Sequence, residues 1–381
     1  MGKACSVVLV GVNGYGRTHS YAALDYAGGV DLTIAGFVDF TCDSFPRIDE
    51  VRARGIPCFN ALADFFAAGH KADIAFIATP IATHKTLAAL AMQNGCHVYC
   101  EKPVAGSLAD ALEMQSFPAK YGRKLEIGFQ LSHNPVILAI KRDILAGVWG
   151  KAKRLKTIVL WPRDSAYYRR GWAGKCLAAD GTPIMDSIAS NATAHYIHNM
   201  LFLLGGAMDA CAMSADVTST VWRTNDIETF DGCALDITTD SGAQLLYYAA
   251  HATEKLRNPE AVYEFENGVI AFETVAGMVR GRLNDGRVIE YGEIEKSPPP
   301  MVTMINAVAG GDWDAFTCPP GAALGHMRVM DVVNAGLDSV RVCPADKKRV
   351  VPQEDGESLL VYDGLAERLE AGYADWAFVA E

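Results

Sequence analysis

The sequence lacks several features that would assign the protein to other classes. It has no excess of positive charge: 34 Lys and Arg stand against 45 Asp and Glu, for a formal net charge of -11 over 381 residues. Such a balance disfavours nucleic acid and anionic membranes as partners. The most apolar run, residues 200–213, is interrupted by Gly205, Gly206 and Asp209 and is too short to span a bilayer. No signal-peptide pattern opens the chain, so we expect a cytoplasmic protein.

Cysteine pairs of the C-x-x-C type are also missing. The ten cysteines are scattered, mostly in apolar surroundings, which favours reduced thiols over disulfides or a zinc site. Half of the residues are hydrophobic and 21% are charged, as in a globular protein. At this length we expect two domains, and small-molecule chemistry suits the composition better than binding to nucleic acid or membranes.

A glycine-rich turn follows the first apolar strand, which is predicted over residues 6–10. The turn reads Gly-Val-Asn-Gly-Tyr-Gly over residues 11–16, and a helical pattern follows it. Backbone N–H groups and the helix N-terminus of such a turn can face a pyrophosphate. Gly11 and Gly16 hold the first and third positions of G-x-G-x-x-G, Asn13 stands at the second, and Gly14 is extra. Asn tolerates positive φ, so the turn can form. Taken alone, a purely structural turn is an equal alternative.

An acidic residue ends the second predicted strand, residues 32–38. Asp39 lies 28 residues after Gly11, where a carboxylate can accept from the adenosine ribose hydroxyls. An ordinary strand-end Asp is the alternative, and it is less attractive once both features occur in this order. Six strands alternating with helices over about 130 residues predict a doubly wound Rossmann domain, α/β in class, over residues 1–130.

The chain changes character after a predicted helix at residues 135–146. Strand patterns then recur at residues 154–160, 210–217, 232–238, 244–250, 261–265 and 269–272. Tight turns such as residues 240–242 separate some of them, which predicts an α+β domain with a largely antiparallel sheet over residues 131–381. A stiff loop is expected at residues 297–300, and helices are predicted at residues 325–340 and 358–371.

A charged pair and a proline end the short strand predicted at residues 97–100. A Lys at the carboxyl end of a strand in an open parallel sheet points into the crevice where such sheets bind ligands. A solvated Glu101–Lys102 ion pair is the ordinary alternative.

Together these motifs resemble the Gfo/Idh/MocA oxidoreductases. The resemblance rests on the glycine turn, on Thr79-Pro80 followed by His84, and on Glu101-Lys102-Pro103; it continues through Gly128, Phe129, Pro135, Lys141, Gly147 and Gly150. It implies that Lys102 is a catalytic residue beside the nicotinamide and the substrate hydroxyl, and that the Lys102–Pro103 bond is cis. The implied NAD contacts are Gly11, Asn13, Gly14, Tyr15, Gly16, Asp39, Thr79, Pro80, His84, Glu101 and Lys102. Ile81 stands where the family commonly has Asn.

The resemblance also has consequences for cofactor choice and assembly. Asp39 should favour NAD over NADP, because a carboxylate repels a 2′-phosphate and no Arg adjoins it, although Arg47 could reach in from the loop. The second sheet of the family is open-faced and often used for subunit contacts. We therefore expect a homodimer or homotetramer.

A second polar stretch lies on a helix that Asp186 or Ser187 can cap and that runs to residue 204. Asn191, His195 and His198 fall at i, i+4 and i+7 and share one face. The family pattern has Asp-x-x-x-His here, so the resemblance implies that His195 is catalytic and that Asn191 replaces the Asp. Asp186 is expected to lie too far back to replace it. No metal is expected, since a third ligand and a His-Glu-x-x-His spacing are missing.

An aromatic and basic stretch, residues 161–172, supplies the other candidate substrate contacts. Aromatic faces pack on sugar rings and Arg forks bind hydroxyls or carboxylates, although a solvated loop with interface aromatics is an equal alternative. The candidate substrate contacts are therefore Asn191, His198, Arg163, Tyr167, Tyr168 and Trp172.

The leading hypothesis is an NAD-dependent dehydrogenase that acts on a secondary alcohol or ketone of a sugar, sugar acid or cyclic polyol. Two alternatives stay open. One is NAD-assisted glycoside hydrolysis or elimination without net cofactor turnover. The other is a non-catalytic, cofactor-binding regulatory protein, which Asn191 makes conceivable.

Overall fold

The fold is described from a computed structural model over residues 3–272, 277–296 and 299–380. By their contacts these residues form two units. The first contains the described residues up to Ala105, residues Ala109–His133 and a later segment that ends at Ala323; the second contains Gly106–Leu108 and the described residues of 134–297 and 324–381. Part of the loop predicted at residues 297–300 lies outside the described residues.

A six-stranded parallel sheet forms the centre of the first unit, in the order β3-β2-β1-β4-β5-β6. Its strands are β1 (Ala4–Val10), β2 (Asp31–Val38), β3 (Cys58–Phe59), β4 (Ile74–Ile77), β5 (His97–Cys100) and β6 (Leu125–Ile127). Strands β2 and β3 lie on one side of β1, and β4, β5 and β6 lie on its other side. The strand order therefore reverses between β1 and β4. Ligands of such sheets bind outside the carboxyl ends at this reversal. The predicted doubly wound fold is confirmed.

Twelve α-helices accompany the described strands. They are α1 (Gly16–Leu24), α2 (Ile48–Ala53), α3 (Leu62–Ala67), α4 (His84–Gln93), α5 (Leu108–Gln115), α6 (Phe117–Tyr121), α7 (Pro135–Leu145), α8 (Ser165–Tyr168), α9 (Ala194–Leu203), α10 (Pro300–Gly310), α11 (Pro320–Ala335) and α12 (Leu365–Asp375). None of the described helices is both long enough and apolar enough to cross a membrane.

Helix α10 belongs to the first unit although it lies far along the chain. Met301, Met304 and Ile305 are buried in the same apolar cluster as Val7 and Leu9 of β1. The apolar face of α10 therefore packs on the parallel sheet, and this packing stabilises the unit because it removes apolar surface from water.

A nine-stranded sheet forms the centre of the second unit, in the order β14-β13-β12-β11-β7-β10-β9-β8-β15. Its strands are β7 (Ala152–Leu160), β8 (Ser214–Arg223), β9 (Gly232–Thr239), β10 (Gln244–Ala250), β11 (Arg257–Phe265), β12 (Gly268–Phe272), β13 (Met278–Leu283), β14 (Val288–Glu293) and β15 (Arg341–Val342). Neighbours pair antiparallel except β10 with β7 and β15 with β8. The prediction of a large, mostly antiparallel sheet is confirmed.

Both faces of the central strands of this sheet are covered. On one face Leu160 of β7 and Tyr248 of β10 pack with Leu365 and Leu369 of α12. On the other face the hydroxyl of Tyr247 donates to the Thr193 carbonyl at 3.2 Å, just before α9. The strands toward the two ends, β8 and β14, keep more of their residues exposed.

Several predicted elements were wrong in extent or type. The helix predicted at residues 325–340 begins at Pro320 and ends at Ala335. The strand predicted at residues 210–217 begins at Ser214 and runs on to Arg223. The helix predicted at residues 358–371 is two elements: β17 (Ser358–Tyr362), which pairs with β16 (Lys348–Pro352), and then α12. Gly364, at a φ of 86°, makes the turn between them, a backbone conformation that favours glycine.

Candidate active site

The glycine turn brings β1 and α1 close to the end of β4. A Cβ on Gly11 would lie 2.5 Å from the Ala78 carbonyl oxygen, and one on Gly16 would lie 1.7 Å from the Gly11 oxygen. At Gly14 the space is open, and the φ is 58°. The positive φ values of the turn therefore belong to Gly11 and Gly14. Asn13 does not adopt the positive φ that the sequence analysis allowed for it. Only glycine fits the two close approaches.

Asp39 holds the same turn from the end of β2. Its Oδ2 accepts from the backbone N–H groups of Val12 and Asn13 at 3.0 and 3.2 Å. Its Oδ1 accepts from the backbone and hydroxyl of Thr41 at 2.8 and 2.7 Å. The Asp39 carboxylate thus orders the loop around it, and its contact with the adenosine ribose stays a prediction.

Asn13 and Arg47 have structural partners. The Asn13 amide donates to the carbonyl and hydroxyl of Thr41, both at 3.0 Å. The Arg47 guanidinium binds Asp25 at 2.7 and 2.8 Å and Glu50 at 2.6 Å. Arg47 is the residue that could have reached in from the loop to neutralise a 2′-phosphate. Because Asp25 and Glu50 bind its guanidinium, Arg47 does not compensate the negative charge of Asp39.

Glu101 is buried directly before Lys102. It lies 2.9 Å from the Nε2 of His19 in α1, and its other oxygen accepts from the Lys102 backbone N–H at 3.2 Å. A Cβ on Gly128 would come within 3.0 Å of the Glu101 carboxyl, so that glycine makes room for it. His19 was missed by the sequence reasoning, because a single His on a helix carries no signal of its own. Lys102 itself is half-buried.

His84 links the loops that follow β4 and β5. Its Nδ1 lies 2.9 Å from the Pro103 carbonyl and its Nε2 lies 3.0 Å from the Thr79 carbonyl. Burial lowers the pKa of His84. The two carbonyls favour the protonated ring and raise the pKa, but burial has the larger effect. The Lys102–Pro103 bond is cis, as predicted, and Ile81 is buried. His84 therefore positions Thr79-Pro80 and Lys102-Pro103, and its direct contact with a cofactor stays a prediction.

In the second unit, a π-helical turn places Asp186 beside Asn191. The turn covers Ile188–Ala192, and Ser187 caps it through a reciprocal bond with Ser190. The Asn191 amide donates to the Asp186 carboxylate at 2.7 Å. Asp186 thus lies next to Asn191 although it is five residues earlier in the chain, because the tight turn brings the two side chains together. That Asp186 cannot replace the Asp of the family pattern stays a prediction.

The Asp186 carboxylate is held from both sides. Its other oxygen accepts from the Gly174 backbone N–H at 2.7 Å. The preceding residue, Met185, has a φ of 48°, a conformation that is uncommon for a residue other than glycine. Such outliers persist where the surrounding structure enforces them and often mark functional positions.

The two histidines of α9 differ in their surroundings. His195 is half-buried, whereas His198 is fully buried and stacks on Phe202 at 5.7 Å between ring centroids. Lys141 lies over the same Phe202 ring at 3.5 Å. His198 is thus part of the packing below α9, and its predicted substrate contact stays a prediction.

The aromatic and basic stretch gathers around Tyr167. The rings of Tyr168, Trp172 and His251 lie 5.2, 6.3 and 5.7 Å from it. The guanidinium groups of Arg163 and Arg170 lie 5.3 and 4.9 Å from the same ring. The structure therefore brings together the four predicted contacts of this stretch and adds His251, from the end of β10, which the sequence reasoning missed.

Residues 5–129 match the family described as an oxidoreductase family with an NAD-binding Rossmann fold, the Gfo/Idh/MocA family. The match covers the Rossmann part of the chain. Inositol 2-dehydrogenase 1 of Saccharopolyspora erythraea is 34% identical over 79 residues, or 20% of this chain and 23% of that protein. The rhizopine catabolism protein MocA of Rhizobium meliloti is 29% identical over 142 residues, 37% of this chain and 43% of that protein. This chain thus matches less than half the length of either relative.

A solved structure extends the likeness beyond the Rossmann domain. The WlbA dehydrogenase from Bordetella pertussis, in complex with NADH and UDP-GlcNAcA, superposes with a TM-score of 0.67 at 21% identity. The match covers 88% of this chain and 97% of that one. At this identity the likeness shows the fold, and it includes the second sheet as well as the first.

Proposed function

We propose that the protein is an NAD-dependent oxidoreductase acting on a CH–OH group of a sugar, sugar acid or cyclic polyol, or on the matching ketone. The observation that carries the proposal is the placement of Lys102. It follows β5 at the carboxyl edge of the Rossmann sheet, where buried Glu101 and His84 hold the adjoining backbone. The family match over this domain supports the same reaction class.

The residues at this edge fit a dinucleotide. Gly14 leaves open space where a side chain would stand, and the N-terminus of α1 follows at Gly16, so that backbone donors can receive a pyrophosphate. Asp39 can accept from ribose hydroxyls. A bound nicotinamide would supply the hydride chemistry. Arg47 is engaged by Asp25 and Glu50, which supports NAD over NADP.

The chain's own residues would bind the alcohol and move its proton. In the proposal His195 takes the hydroxyl proton, and Lys102 orients that oxygen and favours its anion. Asn191, whose amide already donates to Asp186, hydrogen-bonds a neighbouring hydroxyl. The remaining proposed substrate contacts are His198, Arg163, Tyr167, Tyr168 and Trp172.

The test is the formation of reduced nicotinamide, followed by its absorbance, with the full-length protein, NAD and a panel of sugars, sugar acids and cyclic polyols. Net reduction of NAD with at least one member supports the proposal. Release of an aglycone from a glycoside without net reduction would favour the NAD-assisted hydrolase or lyase instead. Binding of NAD without turnover on any member would favour a regulatory protein.

We also propose that the protein self-associates as a homodimer or homotetramer. Exposed strand residues at the ends of the second sheet support this, among them Val288 of β14, which is 49% exposed. Light scattering at micromolar concentration tests it, and a monomeric mass would contradict it.

A further inference from the structure

Three buried polar atoms around Tyr167 have no hydrogen-bond partner among the described residues. They are the Nε2 of His251, the hydroxyl of Tyr168 and the Nε of Arg163. Their side chains surround one ring, at 5.7, 5.2 and 5.3 Å from its centre. Buried polar groups in proteins are nearly always paired, and an unpaired one costs free energy of folding. A cluster of three therefore points to a partner that the chain itself does not supply.

The His251 Nε2 is an acceptor. The Nδ1 of this ring lies 2.7 Å from the Trp161 carbonyl oxygen, which can only accept, so Nδ1 carries the proton. Burial lowers the pKa of His251 to about 3, more than the Trp161 contact raises it. The ring is therefore neutral near pH 7, and its Nε2 offers a lone pair. The backbone is fixed as well, because the His251 N–H donates to the Asp231 carbonyl at 2.7 Å.

The other two atoms can donate. The Nε of Arg163 carries a hydrogen and cannot accept. Burial raises the pKa of Tyr168 well above its usual value, and the nearby Asp231 adds to this, so the group remains a phenol that can donate or accept. One acceptor, one donor and one group with both capacities form a pattern that hydroxyl groups complement, because each hydroxyl also donates and accepts.

We propose that His251, Tyr168 and Arg163 form a subsite for a polyhydroxylated ligand, with one ligand hydroxyl donating to Nε2 of His251 and oxygen atoms of the ligand accepting from Tyr168 and Arg163. This inference rests on the proposed function and narrows its substrate class. A carboxylate or phosphate group has no hydrogen to offer His251. The rings of Tyr167 and Trp172 would cover the C–H face of such a ligand. The Trp161 ring, 5.8 Å from Tyr196, joins the cluster to α9 beside His195.

Two substitutions of His251 separate its two nitrogens. In His251→Asn the side-chain amide can keep the donation to the Trp161 carbonyl while the acceptor at Nε2 is gone. In His251→Gln the amide can reach the Nε2 position and keep an acceptor there. Tyr168→Phe removes only the unpaired hydroxyl. The matched control is Tyr248→Phe, whose hydroxyl is structural: it donates to the carbonyls of Gly372 and Ala377 at 3.1 and 2.8 Å.

The experiment measures KM for the best substrate of the sugar and polyol panel, and Tm, in the full-length protein with NAD. We expect His251→Asn and Tyr168→Phe to raise KM about tenfold or more, as loss of one good hydrogen bond does, with little loss of Tm. His251→Gln should restore much of the affinity. Tyr248→Phe should lower Tm and leave KM unchanged. A deoxy analogue that lacks the contacting hydroxyl should bind wild type and His251→Asn equally.

Unchanged KM in both His251→Asn and Tyr168→Phe would overturn the subsite. So would a liganded crystal structure in which only water meets these atoms. If no member of the panel is oxidised, the proposed oxidoreductase function fails, and calorimetry with inositol and glucose then decides the subsite separately. Binding that His251→Asn weakens would support it, whereas equal binding, or none, would overturn it.

Discussion

The side-chain amide of Asn191 donates to the carboxylate of Asp186 at 2.7 Å across a π-helical turn. Position 191 is where the family resemblance leads one to expect a carboxylate, and here a negative charge stands one side chain away instead. Asp186 is 2% exposed, and the Gly174 backbone holds its second oxygen. The departure at Asn191 therefore comes with a buried acidic partner.

Asn191→Asp should destabilise the protein, because it replaces a donor with a second carboxylate beside Asp186. We expect a loss of about 1–3 kcal/mol, as for a buried acceptor that loses its donor. Two adjacent carboxylates can share a proton in acid, so the loss should be larger at about pH 8 than at about pH 5. Thermal unfolding at both pH values is the measurement. The exchanged double variant Asp186→Asn/Asn191→Asp restores one charge and one amide and should recover most of the stability; equal damage in both variants would contradict this account.

Asp39 should control cofactor choice. With Arg47 engaged by Asp25 and Glu50, we expect the wild type to prefer NAD over NADP by about a hundredfold in kcat/KM, the effect of a few kcal/mol of like-charge repulsion. Asp39→Asn should reduce that preference. It should also weaken NAD binding, because Oδ2 accepts from the turn at Val12 and Asn13. Asp43→Ala, at an exposed residue of the same loop, is the control and should change neither value. Equal efficiency of the wild type with both cofactors would refute the prediction.

Buried histidines should make the protein acid-sensitive. Burial lowers the pKa of His133 to about 4 and that of His251 to about 3. Since these values lie below the ordinary 6.5 of an unfolded chain, the neutral rings stabilise the fold above pH 6.5, and this contribution is lost as the pH falls toward 4. Each group contributes a slope of up to about 1.4 kcal/mol per pH unit in that range.

Removing one of these rings tests the predicted direction of the change in stability with pH. His251→Asn should show a smaller fall in Tm between about pH 7 and about pH 5 than the wild type, since one proton fewer is taken up on unfolding. Tyr248→Phe, which removes a structural hydroxyl and no titrating group in this range, should lower Tm by a similar amount at both pH values. The same pH dependence in His251→Asn as in the wild type would show that this ring does not contribute.

Much of the fold could be predicted because its signals are local. Strands β5 and β10 have the predicted bounds, since each is a short, mostly apolar run between clear breakers. The packing of α10 in the first unit could not be predicted, because its apolar residues show that one face is buried but not which sheet buries it. Residues 358–362 were predicted as helix, and pairing with β16 overrides that tendency.

The candidate site divides in the same way. The glycine turn and Asp39 could be found from local sequence patterns, and the cis Lys102–Pro103 bond was implied by the family resemblance. His19, Asp186 and His251 depend on contacts with residues distant in the chain or on a π turn that breaks the 3.6-residue period. A pattern read at i, i+4 and i+7 groups His198 with His195, yet the structure buries His198 against Phe202.

The proposed proton path makes the last prediction. If His195 is the base, His195→Ala should lower kcat by about a hundredfold to ten-thousandfold, the usual range for a lost general base. NAD affinity should stay nearly intact, because the proposed contacts with the dinucleotide are the glycine turn and Asp39, and His195 is not among them. In the wild type, acid should slow oxidation, since only neutral imidazole can take the proton, and this dependence should be lost in the variant. Lys102→Met should be at least as damaging, because orientation and charge are lost together. His70→Ala, and Lys85→Met at a lysine paired with Asp110 and Glu113, are the controls and should keep wild-type turnover. Near-normal turnover in His195→Ala would move the base to another group, with His198 or the Tyr167–Tyr168 pair next to be tested.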